Sequence, residues 1–129
     1  MPLPPMLLID DEPQLAAFVA KAGEMCGYDP RIADGDEDFR GQFMGATPAL
    51  VALDLGMPGS DGVELLRFLS AQGFTGPVLI ISGFDRRVLE SAFRLGEALG
   101  LNMVGPLEKP TRLDALEDIL NQLKPTLAR

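Results

Sequence analysis

Five short apolar runs, separated by segments with the spacing of amphipathic helices, constrain the fold of this chain more than any other feature. Continuous apolar runs of this length are typical of strands that are buried on both faces of a parallel sheet. The predicted strands cover residues 6–9, 28–33, 49–53, 78–81 and 102–107. Because these strands alternate with predicted helices, we expect an α/β fold made of five βα units in one domain.

The predicted helices start near residues 13, 36, 61, 85 and 111. Gly27 is expected to end the first helix, and Thr111 and Asp114 have the spacing of a capping box at the start of the fifth. Apolar positions at helical spacing predict the buried faces of four helices. These positions are Leu15, Phe18, Val19, Ala22, Met25 and Cys26 in the first helix, Leu65, Leu66 and Leu69 in the third, Val88, Ala92, Leu95 and Leu99 in the fourth, and Leu113, Leu116, Leu120 and Leu123 in the fifth.

The composition fits one globular domain and excludes several classes of function. The chain has 129 residues, 47% of them apolar, which is enough to bury a core. A net charge of −8 argues against direct, non-specific binding to nucleic acid. The single cysteine, Cys26, predicts a reduced compartment, and no apolar run approaches the ~20 residues of a membrane span. The start of the chain lacks a secretory signal, so we expect a cytoplasmic protein that does not contact a membrane.

Charged and hydroxyl side chains follow four of the predicted strands. Asp10 and Asp11 follow the first strand, Asp54 the third and Lys109 the fifth, while Ser82 closes the fourth. Right-handed crossovers bring such strand ends to one edge of a parallel sheet, where α/β proteins bind their ligands. Taken singly, each residue has an ordinary interpretation as a helix cap, a turn residue or a surface lysine.

Together, these residues predict a site for a divalent cation and a phosphoryl group. Three neighbouring carboxylates repel one another unless a cation lies between them, and scattered hard oxygen ligands favour Mg²⁺ over a calcium loop. Asp54 is the predicted phosphoryl acceptor, with Lys109 and Ser82 placed to contact phosphoryl oxygens. The chain contains no histidine, so a histidine that takes part in the chemistry must come from a partner.

Four motifs in this order resemble the response-regulator receiver family. They are Ile9-Asp10-Asp11-Glu12-Pro13, Asp54 with Met57-Pro58-Gly59-Ser60-Asp61-Gly62, Ile81-Ser82-Gly83, and Leu107-Glu108-Lys109-Pro110. The resemblance covers about residues 6–123 and implies a doubly wound, flavodoxin-like sheet with strand order 2-1-3-4-5. It implies one receiver domain over residues 1–129, with residues 124–129 as a tail or a linker cut short.

The resemblance also implies a metal site and a partner. Asp11 and Asp54 would bind Mg²⁺ directly, together with the carbonyl of Gly56, and Asp10 would bind it mostly through water. Asp54 would accept the phosphoryl group from a sensor histidine kinase or a histidine phosphotransfer protein. The protein would then be a phosphoacceptor rather than an enzyme, with slow self-dephosphorylation at most.

For the switch, the resemblance implies that Lys109 pairs with the phosphoryl oxygens, that the Ser82 hydroxyl moves toward them, and that the Lys109–Pro110 bond is cis. The output would pass through the face formed by the fourth helix, fifth strand and fifth helix. Pro106 stands where the family has its switch aromatic, and Phe84 is a candidate substitute.

The segment between Ser82 and Lys109 is several residues longer than is common in the family, and we assign the extra length to residues 94–103. This segment is similar to receivers associated with cyclic di-GMP phosphodiesterase domains, which makes such an output domain or effector a candidate partner. The residue at position 106 keeps a second hypothesis open, a phosphorylation-independent pseudo-receiver that acts as an interaction module. A phosphohydrolase with an aspartyl nucleophile is disfavoured, because Asp10 lacks a second aspartate two residues on.

Overall fold

The apolar runs form the strands of one parallel sheet. The computed structural model describes residues 3–55, 62–83 and 86–127. Its strands are β1 (Pro5–Ile9), β2 (Asp29–Ala33), β3 (Leu50–Leu53), β4 (Pro77–Ser82) and β5 (Asn102–Glu108). All neighbouring pairs are parallel, and the order is β2-β1-β3-β4-β5. The predicted α/β fold with strand order 2-1-3-4-5 is therefore confirmed.

Five helices cover the two faces of this sheet. They are α1 (Pro13–Met25), α2 (Asp36–Gly45), α3 (Gly62–Ala71), α4 (Arg86–Ala98) and α5 (Leu113–Leu127). Side chains of a strand alternate between faces, so Leu7 and Ile9 pack in one core while Met6 and Leu8 pack in the other. Helices α2, α3 and α4 supply the first core, and α1 and α5 supply the second.

Three predicted core positions are wrong. Met25 in α1, Val88 in α4 and Leu113 in α5 are all exposed. In α4 the predicted burial of Ala92 is confirmed, but Leu89 is buried in place of Val88, and Gly96 completes the buried face. The glycine allows close packing, because a methyl group at Gly96 would overlap the side chain of Met103 on β5.

The predicted capping box at the start of α5 is also wrong. The helix begins at Leu113, and the carbonyl of Arg112 accepts the first helical hydrogen bond, from the Leu116 N–H at 3.1 Å. The Thr111 hydroxyl instead donates to the Glu108 carbonyl at 3.1 Å. Thr111 therefore closes the turn after β5, one residue too early to cap the helix. The predicted helix starts near residues 61 and 85 lie outside the described residues.

A β-bulge interrupts the pairing of β4 with β5. Leu79 pairs with Val104 and Ile81 pairs with Leu107, so β5 carries one extra residue between these points. Gly105 takes a φ of +89°, which favours glycine, and the Gly105–Pro106 peptide bond is cis. Among the described residues, no helix has the length and apolarity needed to cross a bilayer.

Candidate functional site

The polar residues predicted at the strand ends lie together at the carboxyl edge of the sheet. Ile9 pairs with Leu53, so β1 and β3 end at the same level; Leu53 pairs with Ile80, and β4 continues two residues further to Ser82. Asp10 and Asp54 directly follow two of these strands, and Ser82 is the last residue of β4. Because β5 runs parallel to β4 and beside it, Lys109, which directly follows β5, lies at the same edge of the sheet.

The ammonium group of Lys109 is the centre of this cluster. Its Nζ lies 3.0 Å from Asp10 Oδ2, 3.1 Å from Asp54 Oδ2 and 3.1 Å from Glu12 Oε1. The side chains of Lys109, Asp10 and Asp54 are 12%, 6% and 5% exposed, whereas that of Glu12 is 59% exposed. An ammonium group has three N–H donors, and three carboxylates surround this one. Two of the three contacts are thus shielded from water, and the third lies at the surface.

Carboxylate oxygens of four residues converge beside the lysine. One oxygen from each of Asp10, Asp11, Glu12 and Asp54 lies within 4.8 Å of the others. Four carboxylates and one ammonium leave an excess of negative charge, which a small divalent cation would neutralise. Hard oxygen donors with an exposed member, Asp11, fit Mg²⁺, which keeps several of its waters. Gly56, the predicted carbonyl ligand, lies outside the described residues.

Burial and charge shift the proton affinities of the two central groups. Burial raises the pKa of Asp10, and the nearby Asp54 charge acts in the same direction. Two contacts lower this pKa but offset the rise only in part: the hydrogen bond from the Glu12 N–H to Asp10 Oδ1, at 3.0 Å, and the Lys109 ammonium group. For Lys109, burial alone would lower the pKa. Hydrogen bonds to Asp10, Glu12 and Asp54 outweigh that effect and raise the pKa of Lys109. Lys109 is therefore a cation throughout the physiological range.

The backbone ties Lys109 to the end of β4. The Lys109 N–H donates to the Ser82 carbonyl at 3.0 Å, and Ser82 itself is completely buried. The Lys109–Pro110 peptide bond is cis, the geometry that the sequence resemblance implied. Pro106 lies in the bulge of β5, three residues before the lysine, and Phe84, the candidate substitute for the missing aromatic, lies outside the described residues.

Sequence reasoning missed two ionic contacts at this edge. Glu12 stood in the quoted motif but received no role, although it is the third carboxylate on Lys109. Its position directly after Asp10 and Asp11, at the start of α1, is the signal that was available. Arg86 was also given no role, and its exposed side chain pairs with Glu108 at 3.1 Å.

Comparisons with known proteins agree with this geometry. A family model described as the response regulator receiver domain matches residues 6–121. The chain is 34% identical over 113 residues to the C4-dicarboxylate transport transcriptional regulatory protein DctD of Pseudomonas aeruginosa, covering 88% of this chain and 23% of that protein. It is 30% identical over 119 residues to the cyclic di-GMP phosphodiesterase RocR of the same species, covering 91% of this chain and 30% of that protein.

The structure is similar to that of the Francisella response regulator 1452 receiver domain, with a TM-score of 0.78 and 27% sequence identity. This match covers 95% of the present chain and 98% of the other. In contrast, the chain spans less than a third of the length of either curated relative. The similarity is thus to one domain of those longer proteins.

Proposed function

The chain belongs to the response-regulator receiver family, and we propose that it accepts a phosphoryl group on Asp54 from a histidine kinase or a histidine phosphotransfer protein. The observation that carries the proposal is the position of Asp54. Its carboxylate follows the central strand β3, lies 3.1 Å from the Lys109 ammonium and shares a 4.8 Å cluster with three other acids. Such a carboxylate has a cation on one side and potential metal ligands on the other.

In the proposed transfer, a carboxylate oxygen of Asp54 attacks the phosphorus of the partner's phosphohistidine. The phosphorus–nitrogen bond breaks, its electron pair stays on the imidazole nitrogen, the ring takes up a proton from water, and an acyl phosphate remains on Asp54. Lys109 would donate hydrogen bonds to the phosphoryl oxygens. The Ser82 hydroxyl would approach them from the end of β4.

Asp10, Asp11 and Asp54 are the proposed holders of Mg²⁺. Bound there, the ion would neutralise charge on the phosphoryl oxygens. The Asp10 side chain is nearly buried and contacts Lys109 at 3.0 Å, whereas Asp11 is exposed and is the better direct ligand. As a member of this family, the protein is expected to be a phosphoacceptor rather than an enzyme. Its similarity to RocR supports a cyclic di-GMP phosphodiesterase as a candidate output.

The direct test is phosphorylation by acetyl phosphate in the presence of Mg²⁺, followed by intact-mass and peptide mass spectrometry. We expect one phosphoryl group, labile to hydroxylamine, on Asp54. Asp54→Asn should abolish it, whereas Asp118→Asn, which removes an exposed carboxylate on α5, should leave it unchanged. An unchanged wild-type mass, or equal labelling of Asp54→Asn, would contradict the proposal.

A second candidate is a phosphorylation-independent interaction module, which the proline at position 106 favours. No aromatic residue follows Phe93 in the chain, so an aromatic side chain on β5 cannot report the state of Asp54. Binding of a partner with equal affinity by the wild type, its phosphorylated form and Asp54→Asn would support this function. A change in affinity on phosphorylation would exclude it.

A further inference from the structure

Glu12 differs from the other two carboxylates on Lys109 in how it is held. Asp10 and Asp54 are at most 6% exposed and follow strands of the sheet, whereas the Glu12 side chain is 59% exposed. Glu12 occupies the N-cap position of α1, but its side chain makes no capping hydrogen bond. Its carboxylate is therefore held at the site through Lys109, on a side chain with three rotatable bonds.

The three donors of Lys109 are all in use in this arrangement. A phosphoryl group on Asp54 would add three oxygens beside an ammonium group that already has three acceptors, at 3.0–3.1 Å. Attack through Oδ1 of Asp54 leaves Oδ2 beside Lys109 as the carbonyl oxygen of the acyl phosphate, so one of the other two carboxylates must leave before a phosphoryl oxygen can take its place. Moving Glu12 into water costs least, because an exposed ion pair contributes little. The Glu12 backbone can stay in place, since its N–H is fixed by Asp10 Oδ1 at 3.0 Å.

We propose that Glu12 is a displaceable partner of Lys109, which occupies one ammonium donor in the unphosphorylated protein and yields it to a phosphoryl oxygen. This inference rests on the proposed function of Asp54. It makes Glu12 a positioning residue, which acts through Lys109 and opposes phosphorylation. In the unphosphorylated state, Glu12 also adds negative charge at the point that an anionic phosphodonor must approach.

Two variants of Glu12 distinguish the effect of its contact with the Lys109 ammonium group from the effect of its negative charge. Glu12→Gln removes the charge and weakens the contact. Glu12→Asp keeps the charge but shortens the side chain, and aspartate at an N-cap accepts from helix N–H groups, which turns it away from Lys109. Glu24→Gln, on the exposed side of the same helix, is the matched control for loss of charge.

The measurement is the affinity for beryllofluoride with Mg²⁺, by calorimetry, together with the affinity for Mg²⁺ alone. We expect both Glu12 variants to bind beryllofluoride about two- to fivefold more tightly than wild type, the size of one half-exposed ion pair. Glu24→Gln should match wild type, and Glu12→Asp should bind Mg²⁺ alone as wild type does. Faster labelling by acetyl phosphate should accompany the tighter binding.

Unchanged or weaker beryllofluoride binding in both Glu12 variants would overturn the inference while leaving the role of Asp54 intact. A loss of Mg²⁺ affinity of about tenfold or more in both would overturn it too, because Glu12 would then be a metal ligand. If wild type binds beryllofluoride no better than Asp54→Asn, the proposed function fails, and the inference fails with it.

Discussion

Replacing Lys109 by methionine removes the ammonium group and keeps most of the side-chain stem, so three carboxylates lose their shared cation. Two of them, Asp10 and Asp54, are at most 6% exposed. At an effective dielectric constant of about 20, a pair of unit charges 3 Å apart interacts by about 5 kcal/mol before any compensation. The exposed contact to Glu12 adds about 1 kcal/mol at most.

The net loss of stability is smaller than these gross energies. Removing one partner of a buried ion pair typically costs about 3–5 kcal/mol, because the remaining charge is left uncompensated. Burial already raises the pKa of Asp10, and loss of the lysine raises it further, so proton uptake limits the damage. We therefore expect Lys109→Met to lower the free energy of unfolding by about 3 kcal/mol near neutral pH.

The loss should shrink as the pH falls. A carboxyl group with a raised pKa in the folded state binds more protons there than in the unfolded chain, so acidification stabilises the folded state through that group. The pKa of Asp10 is raised further in Lys109→Met than in wild type. The difference in free energy of unfolding between the two proteins should therefore narrow as the pH falls from neutral toward the ordinary carboxyl range. Millimolar Mg²⁺ should also recover part of the loss, because the ion replaces the missing positive charge.

Urea unfolding followed by circular dichroism measures these differences as shifts of the midpoint at constant slope. Lys21→Met is the matched control: Lys21 is exposed on α1 and has no carboxylate partner among the described residues. It should change stability by less than about 0.5 kcal/mol. A Lys109→Met midpoint equal to that of Lys21→Met, or a deficit that grows on acidification, would refute the reasoning.

Two further predictions concern packing in the core of the domain. Tyr28, the only tyrosine, is buried and donates to the Leu120 carbonyl at 2.7 Å, and burial raises its pKa to about 12. The absorbance of tyrosinate should thus titrate near pH 12 in the folded protein and near pH 10 in urea. As the pH rises from 10 to 12, the folded protein should lose about 3 kcal/mol of stability. Equal titration midpoints in the folded and unfolded protein would contradict this prediction. Gly96→Ala should destabilise the protein by about 1–2 kcal/mol, because the new methyl group overlaps Met103. Gly41→Ala, in open space on α2, is the control and should stabilise the protein by about 0.5–1 kcal/mol. Equal effects of the two substitutions on stability would show that Met103 adjusts freely.

The sheet could be predicted because its central strands are apolar on both faces. Every residue of β3 and β4 is buried, so these runs needed no choice between faces. For the helices, the buried face had to be chosen from the spacing of apolar residues, and that choice failed near helix ends, at Met25, Val88 and Leu113. In α4, Val88 and Leu89 are adjacent, and the spacing alone favoured the wrong one; the packing of Gly96 against β5 decides for Leu89.

The site could be predicted as far as it depends on strand ends. The convergence of Asp10, Asp54 and Lys109 follows from parallel topology, which fixes where each strand ends. The contact of Glu12 could not be predicted in this way, because it depends on the path of the chain between β1 and α1. The Asp10 side chain fixes that path by accepting the Glu12 N–H.

The bulge in β5 limits how the site can be coupled to the rest of the domain. Proline at position 106 has a closed ring, so it cannot exchange between rotamers as an aromatic side chain can. Contacts between the end of β5 and the described part of the β4–α4 segment include the Lys109 N–H to the Ser82 carbonyl, at 3.0 Å, and the Arg86–Glu108 ion pair, at 3.1 Å. The ion pair is exposed and contributes about 1 kcal/mol at most, so the backbone hydrogen bond is the stiffer link. We therefore expect a change at Lys109 to reach β4 through the paired strand ends, by displacement of the backbone.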